Sequence, residues 1–164
     1  MLEQAKRGYL PVVMYTEGGG GRPGDTDVKI QIAGLDVPTF ASWASLSGQV
    51  PMIAVNNGYC FAGNAALFGC ADIRIATKSS WIGMAGPAMI EGGGLGNFAP
   101  TDIGPMDVQS KNGVVDLVAD DEAHATALAQ QCLSYFQGGS DNWQCADQLE
   151  PVSYTHLRAH ETRI

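Results

Sequence analysis

The sequence predicts an α/β fold built from repeated strand-then-helix units, and two observations lead to this expectation. The apolar run at 51–56 enters a small-residue turn and continues into a helical pattern at 63–69. An earlier apolar run, 11–16, leads into four consecutive glycines, as happens where α/β sheets present loops to ligands at the carboxyl ends of their strands. With 164 residues, 45% of them apolar, the chain is long enough for one compact domain with a substantial core.

The same patterns place the individual elements. Short apolar runs predict strands at 11–16, 51–56, 72–76, 81–84 and 113–118, and helices are predicted at 2–8, 38–47, 63–69 and 120–137. The last helix has the clearest signals, since Asp120 or Asp121 can cap its start and Gly138-Gly139 can end it. Its apolar face is expected to pack against the sheet and consists of Ala125, Leu128, Ala129, Cys132, Tyr135 and Phe136.

Composition limits the classes of function. Seventeen acidic residues against nine basic ones argue against nucleic-acid binding. The four cysteines form no CxxC pair and have no neighbouring histidine ligands, so no metal site is expected and free thiols in a reducing compartment are favoured. No stretch approaches about 18 apolar residues, and the start lacks the apolar core of a signal peptide. We therefore expect a cytoplasmic protein without a membrane anchor.

The segment from Pro51 to Ala76 is the most informative about function. An apolar strand enters the turn Ala62-Gly63-Asn64, where a helical pattern begins. Backbone amides at a helix start have no partner within the helix, so they can hold a negatively charged oxygen. This segment resembles the oxyanion-hole motif of the crotonase superfamily. Members of that superfamily bind acyl-CoA thioesters and stabilise the enolate that forms on the thioester carbonyl.

The side chains beside this turn argue against two chemistries that share the fold. Enoyl-CoA hydratases resemble this stretch but carry glutamate at the positions of Ala66 and Ala88, the latter after Pro87. Addition of water needs two carboxylates as acid and base, so hydration is not expected. A Clp-type protease would place its serine just inside the helix, where this chain has Asn64-Ala65-Ala66. What remains is a site of oriented amides.

Five segments that occur in one order extend the resemblance. They are Glu17 to Asp27, the stretch 51–76, Gly83 to Gly96, Gly104 to Gln109 and Asn112 to Asp116. From about residue 10 to about residue 148, the chain resembles the N-terminal half of the carboxyltransferase component of biotin-dependent acyl-CoA carboxylases. The resemblance implies a crotonase/ClpP-like fold of repeated strand-strand-helix units, of which this chain would be a partial domain.

The resemblance also implies which residues form the site. The run from Gly18 to Arg22 matches the family's Ser-Gly-Gly-Ala-Arg loop, and Ala62-Gly63-Asn64 matches its Ala-Gly-Gly turn. The implied catalytic groups are the backbone amides of Gly19, Gly20, Gly63 and Asn64. The implied substrate-binding residues are Gly18, Gly21, Arg22, Ala62, Gly86 and Pro87. Arg22 would meet a CoA phosphate. Asn64 departs from the second glycine of the family turn, although an amide donor needs no particular side chain.

Cofactor and partners follow from the same resemblance. Carboxyltransferases of this kind are thought to use carboxybiotin both as carboxyl donor and as the acceptor of the acyl-CoA α-proton, which explains the missing acid and base. Acyl-CoA is the implied substrate, and biotin would be carried on a separate domain or subunit. The implied partners are the C-terminal carboxyltransferase half of a partner subunit and the biotin carboxylase and biotin carrier components. The full-length protein is expected to be a homo-oligomer.

The end of the chain differs from the rest. The segment from Pro151 to Ile164 resembles translated sequencing-adapter read-through. Residues 1–150 are therefore predicted to be a partial N-terminal carboxyltransferase domain, and 151–164 a non-native tail. Because no C-terminal half is recognised, we expect an internal fragment that is inactive alone.

Three functions remain open on the sequence. The first is the carboxyltransferase segment. The second is another crotonase-fold acyl-CoA enzyme, such as a decarboxylase that uses the same amides without biotin. The third is a non-catalytic subunit or binding module that keeps the fold. The acyl chain length is not indicated, because the pocket that measures it is expected to include residues outside this chain.

Overall fold

The computed structural model describes residues 1–19 and 38–137. The helices within these ranges are α1 (Leu2–Gly8), α2 (Pro38–Ala44), α3 (Gly63–Gly69), α4 (Pro87–Gly92), α5 (Met106–Gln109) and α6 (Glu122–Ser134), with a 3₁₀ turn at Pro100–Asp102. The strands are β1 (Val12–Tyr15), β2 (Met52–Asn56), β3 (Tyr59–Phe61), β4 (Ile73–Thr77), β5 (Trp81–Gly83) and β6 (Leu117–Ala119). None of these helices is long and apolar enough to cross a membrane.

The strands form two parallel sheets. The larger sheet has the order β1-β2-β4-β6, and the smaller one pairs β3 with β5. Two successive strand-strand-helix units produce this arrangement: β2, β3 and α3 form the first, and β4, β5 and α4 the second. The first strand of each unit enters the larger sheet and the second enters the smaller one. The observed architecture is therefore the predicted α/β arrangement of repeated units.

Strand β2 lies at the centre of the core because its five residues are all buried. Successive side chains of a strand point to opposite faces, and both faces of β2 are covered. Met52 and Ala54 belong to one apolar cluster, which also contains Trp43 and Phe68. Ile53 and Val55 belong to a second cluster, formed with α6.

Specific hydrogen bonds join α2 to α3 and cap the start of α6. Trp43 of α2 is buried and donates its indole N–H to the carbonyl of Leu67 in α3, at 2.9 Å. Asp121 caps α6 by accepting the backbone N–H of His124 at 2.8 Å, as its position in the sequence predicts. Ala125, Ala129 and Cys132 form the buried face of α6.

Several predicted bounds are wrong. Helix α6 ends at Ser134, so Tyr135 and Phe136 leave the predicted apolar face and are 69% and 50% exposed. The strand predicted at 113–118 is limited to β6, because Gly113 adopts a φ of 72° that ends the preceding turn. The elements β3, α4 and α5 were not predicted, since each is short and lacks a periodic apolar pattern of its own. Gly138-Gly139 and the tail at 151–164 lie outside the described residues.

Candidate active site

The first part of the site is the segment that follows β1. Thr16 is buried and continues the pairing with β2 through its N–H, which donates to the carbonyl of Val55 at 2.9 Å. Gly18 then pairs with β3 of the other sheet. Its N–H donates to the carbonyl of Tyr59 at 2.8 Å, and its carbonyl accepts the N–H of Phe61 at 2.9 Å. The segment 16–19 therefore passes from one sheet to the other.

This pairing determines the direction of the Gly19 amide. A trans peptide points its C=O and its N–H in opposite directions. Because the Gly18 carbonyl accepts from Phe61, the N–H of the same peptide unit, which belongs to Gly19, points away from β3. Gly19 lines the cleft described below, and a Cβ atom added to it would meet nothing within 4 Å. The backbone of Gly19 is thus accessible to a ligand.

The second part of the site is the turn that starts α3. Ala62 caps this helix with φ 54° and ψ −123°, a conformation that side-chain-bearing residues rarely adopt and that costs roughly 1–3 kcal/mol. Its N–H donates to the carbonyl of Gly83 in β5 at 3.1 Å, which anchors the strained turn. Within the part of the chain that the structure describes, the amides of Gly63 and Asn64 have no hydrogen-bond acceptor.

The side chain of Asn64 joins the two parts. Its Nδ2 atom donates to the carbonyl of Thr16 and to that of Glu17, both at 3.0 Å. The described segment 16–19, called the glycine loop below, and the Ala62-Gly63-Asn64 turn therefore lie side by side. Gly20, Gly21 and Arg22 lie outside the described residues.

A cleft of about 620 Å³ opens beside the glycine loop. Residues 17–19 form one wall, and the start of α4, residues 86–89, forms another. Tyr59 and Phe61, which share one face of β3 on either side of buried Cys60, supply aromatic lining, and Pro100 completes it. Most of the lining is apolar, so the cleft suits a ligand with a substantial apolar part.

Some predicted site residues line this cleft and others lie next to it. Gly18, Gly19, Gly86 and Pro87 line it. Ala62, Gly63 and Asn64 are not among the lining residues but contact the loop through Asn64. Sequence reasoning missed the contribution of Glu17, Asn57, Tyr59, Phe61, Met89 and Pro100. The alternation of large aromatic residues around Cys60 was the available signal for Tyr59 and Phe61.

A buried hydrogen-bond network supports the floor of the cleft. Asn56 donates its Nδ2 to the carbonyl of Gly58 at 2.8 Å, and Ser80 donates its hydroxyl to the carbonyl of Asn56 at 3.1 Å. Thr77 donates to the Oδ1 of Asn57 at 2.9 Å. Among the described residues, no buried side-chain nitrogen or oxygen lacks a partner. The turn 57–58 that reaches the cleft is thus held rigidly from behind.

The ionisable groups near the cleft offer little acid, base or nucleophilic chemistry. Ala66 on α3 and Ala88 in the cleft wall carry no carboxylate, and Glu17, which lines the cleft, is exposed to solvent. Burial raises the pKa of the Cys60 thiol to about 11, although a hydrogen bond with Thr16 opposes the increase. The thiol is therefore neutral and a poor nucleophile. The described residues contain no cluster of three or more metal-ligating His, Cys, Asp or Glu side chains.

Comparison with known protein families gives a match over most of the chain. The family model described as the carboxyl transferase domain matches residues 1–160. The probable methylcrotonoyl-CoA carboxylase beta chain, mitochondrial, of Drosophila melanogaster is 33% identical over 163 residues, which are 95% of this chain and 27% of the relative. The chain thus spans about a quarter of the length of this curated relative.

Solved structures agree with this match. A single-chain, multi-domain long-chain acyl-CoA carboxylase superimposes with a TM-score of 0.78 at 61% identity, over 89% of this chain and 14% of that one. The transcarboxylase 12S crystal structure with methylmalonyl-CoA and methylmalonic acid bound superimposes with a TM-score of 0.66 at 26% identity, over 82% of this chain and 26% of that one. These neighbours confirm the predicted crotonase-type fold of a partial domain. The chain belongs to the carboxyl transferase domain family.

Proposed function

We propose that this chain is the part of an acyl-CoA carboxyltransferase that binds the acyl-CoA thioester and stabilises its enolate during carboxyl transfer. Family membership supports the reaction class, and two relatives are described as a methylcrotonoyl-CoA carboxylase and a long-chain acyl-CoA carboxylase. The apolar cleft supports an acyl group as the part of the substrate that this chain contacts.

The observation that supports the proposal is the contact of Asn64 with the carbonyls of Thr16 and Glu17, which places the turn 62–64 beside the segment 16–19. The amides of Gly19 and Gly20 would come from the loop, and those of Gly63 and Asn64 from the turn. Preorganised N–H groups stabilise charge that develops on a carbonyl oxygen and need no rearrangement when it forms. Gly18, Gly21, Ala62, Gly86 and Pro87 would shape the site, and Arg22 would meet a CoA phosphate.

The proposed site of backbone amides also fits a cofactor that itself accepts the α-proton of the substrate. Backbone amides without a carboxylate at Ala66 or Ala88 can orient a thioester and stabilise its enolate, but they offer no group to remove the α-proton. Carboxybiotin, carried on a separate domain or subunit, would supply both the carboxyl group and the proton acceptor. The biotin carboxylase and biotin carrier components and the C-terminal half of a partner subunit are therefore the proposed partners. A homo-oligomer is proposed because the transcarboxylase 12S relative is described as a hexamer.

The same amides would also serve a crotonase-fold decarboxylase, which needs no biotin. Carboxylation of an acyl-CoA by the complete protein, strictly dependent on the biotin carrier, supports carboxyl transfer. Loss of a carboxyl group from an acyl-CoA without the carrier supports the decarboxylase. Binding of acyl-CoA with neither reaction supports a non-catalytic module.

The amide mechanism is tested by replacing Gly63 in the complete protein. Proline fits the first position of an α-helix but has no N–H, so Gly63→Pro removes one donor. We expect turnover of acyl-CoA to fall by roughly a hundredfold or more, as for loss of one oxyanion donor. Gly63→Ala is the matched control, because it keeps the N–H and places a methyl group 2.9 Å from the tip of the Phe40 ring.

The control is expected to lose much less activity, since the half-exposed Phe40 ring can shift. Circular dichroism checks that both variants keep their helices. Ala66→Glu is expected to create no hydratase activity, because a second carboxylate is still absent. Near-normal carboxylation by Gly63→Pro would contradict the mechanism.

A further inference from the structure

We propose that the side-chain amide of Asn64 is a positioning group that sets the spacing between the glycine loop and the turn at the start of α3. The proposal rests on the proposed function, in which each of these segments supplies enolate-stabilising amides. It concerns the side chain of Asn64 and is separate from the part played by its backbone N–H.

The contact uses both hydrogens of one amide. Nδ2 of Asn64 lies 3.0 Å from the carbonyl oxygen of Thr16 and 3.0 Å from that of Glu17. Both partners are acceptors, so the nitrogen and not the oxygen of the side chain must face the loop. The bond to Glu17 joins residues 47 positions apart in the chain. One side chain thus links two consecutive peptide units of the loop to α3.

The other bonds of the loop run to the sheets. The peptide unit between Glu17 and Gly18 donates its N–H to Tyr59 in β3, and Thr16 is bonded to β2. Asn64 supplies the side-chain hydrogen bonds that tie the same segment to α3. Loss of the Asn64 side chain would therefore leave the loop attached to the two sheets, but the loop would no longer be held at a defined distance from the turn.

Gly18 lies directly against the side chain of Asn64. A Cβ atom at Gly18 would lie 2.6 Å from Nδ2 of Asn64, too close for both side chains to be present without a shift. Gly18 therefore leaves free the space that the side chain of Asn64 occupies.

The kinetic test uses the complete protein with Asn64→Asp, which has nearly the same shape but sets a carboxylate against two carbonyl oxygens. We expect kcat to fall by at least about tenfold, because a small misplacement of donor groups is costly to catalysis. KM for acyl-CoA is expected to change less than about threefold, since the parts of the cleft formed by residues 86–89, Tyr59 and Phe61 are not attached through Asn64. Asn112→Asp makes the same change at an exposed asparagine and is the control.

A double-mutant cycle separates positioning from general damage. Asn64→Gly and Gly18→Ser are each expected to lower kcat. The kcat of the double variant is expected to be at least about threefold higher than the product of the two single effects predicts, because removing the Asn64 side chain makes room for the serine. A kcat for Asn64→Asp within about twofold of the control, or independent effects in the cycle, would overturn the proposal.

Amide hydrogen exchange tests the contact without relying on activity. In Asn64→Gly, amides in 16–19 are expected to exchange at least about tenfold faster, while β2 keeps its protection. If the wild type has no carboxylase activity but this change in exchange occurs, the proposed function fails and the positioning contact stands. Unchanged exchange in 16–19 would overturn the positioning role, whatever the activity.

Discussion

At the scale of single residues, glycines that touch another part of the backbone have the strictest requirements. Gly104 has φ 58°, and its carbonyl accepts the N–H of Ile82 in β5 at 2.9 Å. A Cβ atom at this position would lie only 1.8 Å from the carbonyl oxygen of Ile82. The loop before α5 can therefore approach the smaller sheet only if residue 104 has no side chain.

A pair of glycine variants tests this requirement. Gly104→Ala is expected to lower the free energy of unfolding by at least about 3 kcal/mol. The strain of a left-handed backbone conformation and the collision of the new methyl group with the Ile82 carbonyl both contribute to this loss. Gly113→Ala is the matched control, since Gly113 has φ 72° but nothing within 4 Å of an added Cβ. Its expected loss is about 1–2 kcal/mol from the backbone conformation alone. Equal losses in denaturant unfolding would show that the contact with Ile82 can relax.

At the scale of elements, an ion pair fastens the turn before β6 to β4. Arg74 donates to Asp116 through its backbone N–H at 2.8 Å, through Nε at 2.9 Å and through Nη2 at 2.8 Å. The backbone N–H of Asp116 donates to the carbonyl of Arg74 at 2.9 Å. Partial burial alone would raise the pKa of Asp116, but these bonds outweigh it and hold the pKa below its usual value.

The ion pair predicts a dependence of stability on pH. Because the pKa of Asp116 is lower in the folded state, its contribution is present above the unfolded value of about 3.9 and is lost as pH falls through the folded pKa. Asp116→Asn is expected to lower stability at neutral pH by up to about 1 kcal/mol, since the pair is partly solvent-exposed. The stability of the Asp116→Asn variant is also expected to fall less steeply than that of the wild type below about pH 4.

Denaturant unfolding between neutral and acid pH measures this difference. Asp107→Asn removes an exposed carboxylate on α5 and is the control. Parallel pH profiles for wild type and Asp116→Asn would show that the pair contributes nothing to acid sensitivity.

At the scale of the whole molecule, two groups of exposed apolar side chains bear on association with other surfaces. Tyr9, Leu10 and Tyr15 lie near β1, which pairs only with β2 among the described strands. Met84, Met89, Leu95 and Phe98 lie around α4, next to the cleft. An open sheet edge and exposed apolar residues favour association with another surface.

The chain produced by itself is therefore expected to associate and to lack carboxylase activity. Sedimentation velocity over a range of concentrations measures association. Deleting 151–164 is expected to change the melting temperature by little more than experimental error, because that segment is predicted to be non-native. A monomer at all concentrations would contradict the first expectation, and a large loss of stability on deletion would contradict the second.

Local patterns were sufficient where an element carries a clear apolar or helical pattern in its own sequence. The bounds of α1 and α3 agree with the helices predicted at 2–8 and 63–69, and β2 lies within the strand predicted at 51–56. Strand β3 was not predicted, although large aromatic residues alternate around Cys60. That strand exists because it pairs with β5 and with Gly18, which the local sequence does not reveal.

Residue order and glycine at particular positions were sufficient to predict the family, the α/β class and two segments of the candidate site. The tertiary structure decided which side chains meet there. Asn64 reaches the carbonyls of Thr16 and Glu17 only because the register of β3 with β5 and Gly18 brings the loop beside α3. Contacts between residues so far apart in the chain depend on strand order and register, which no local pattern encodes.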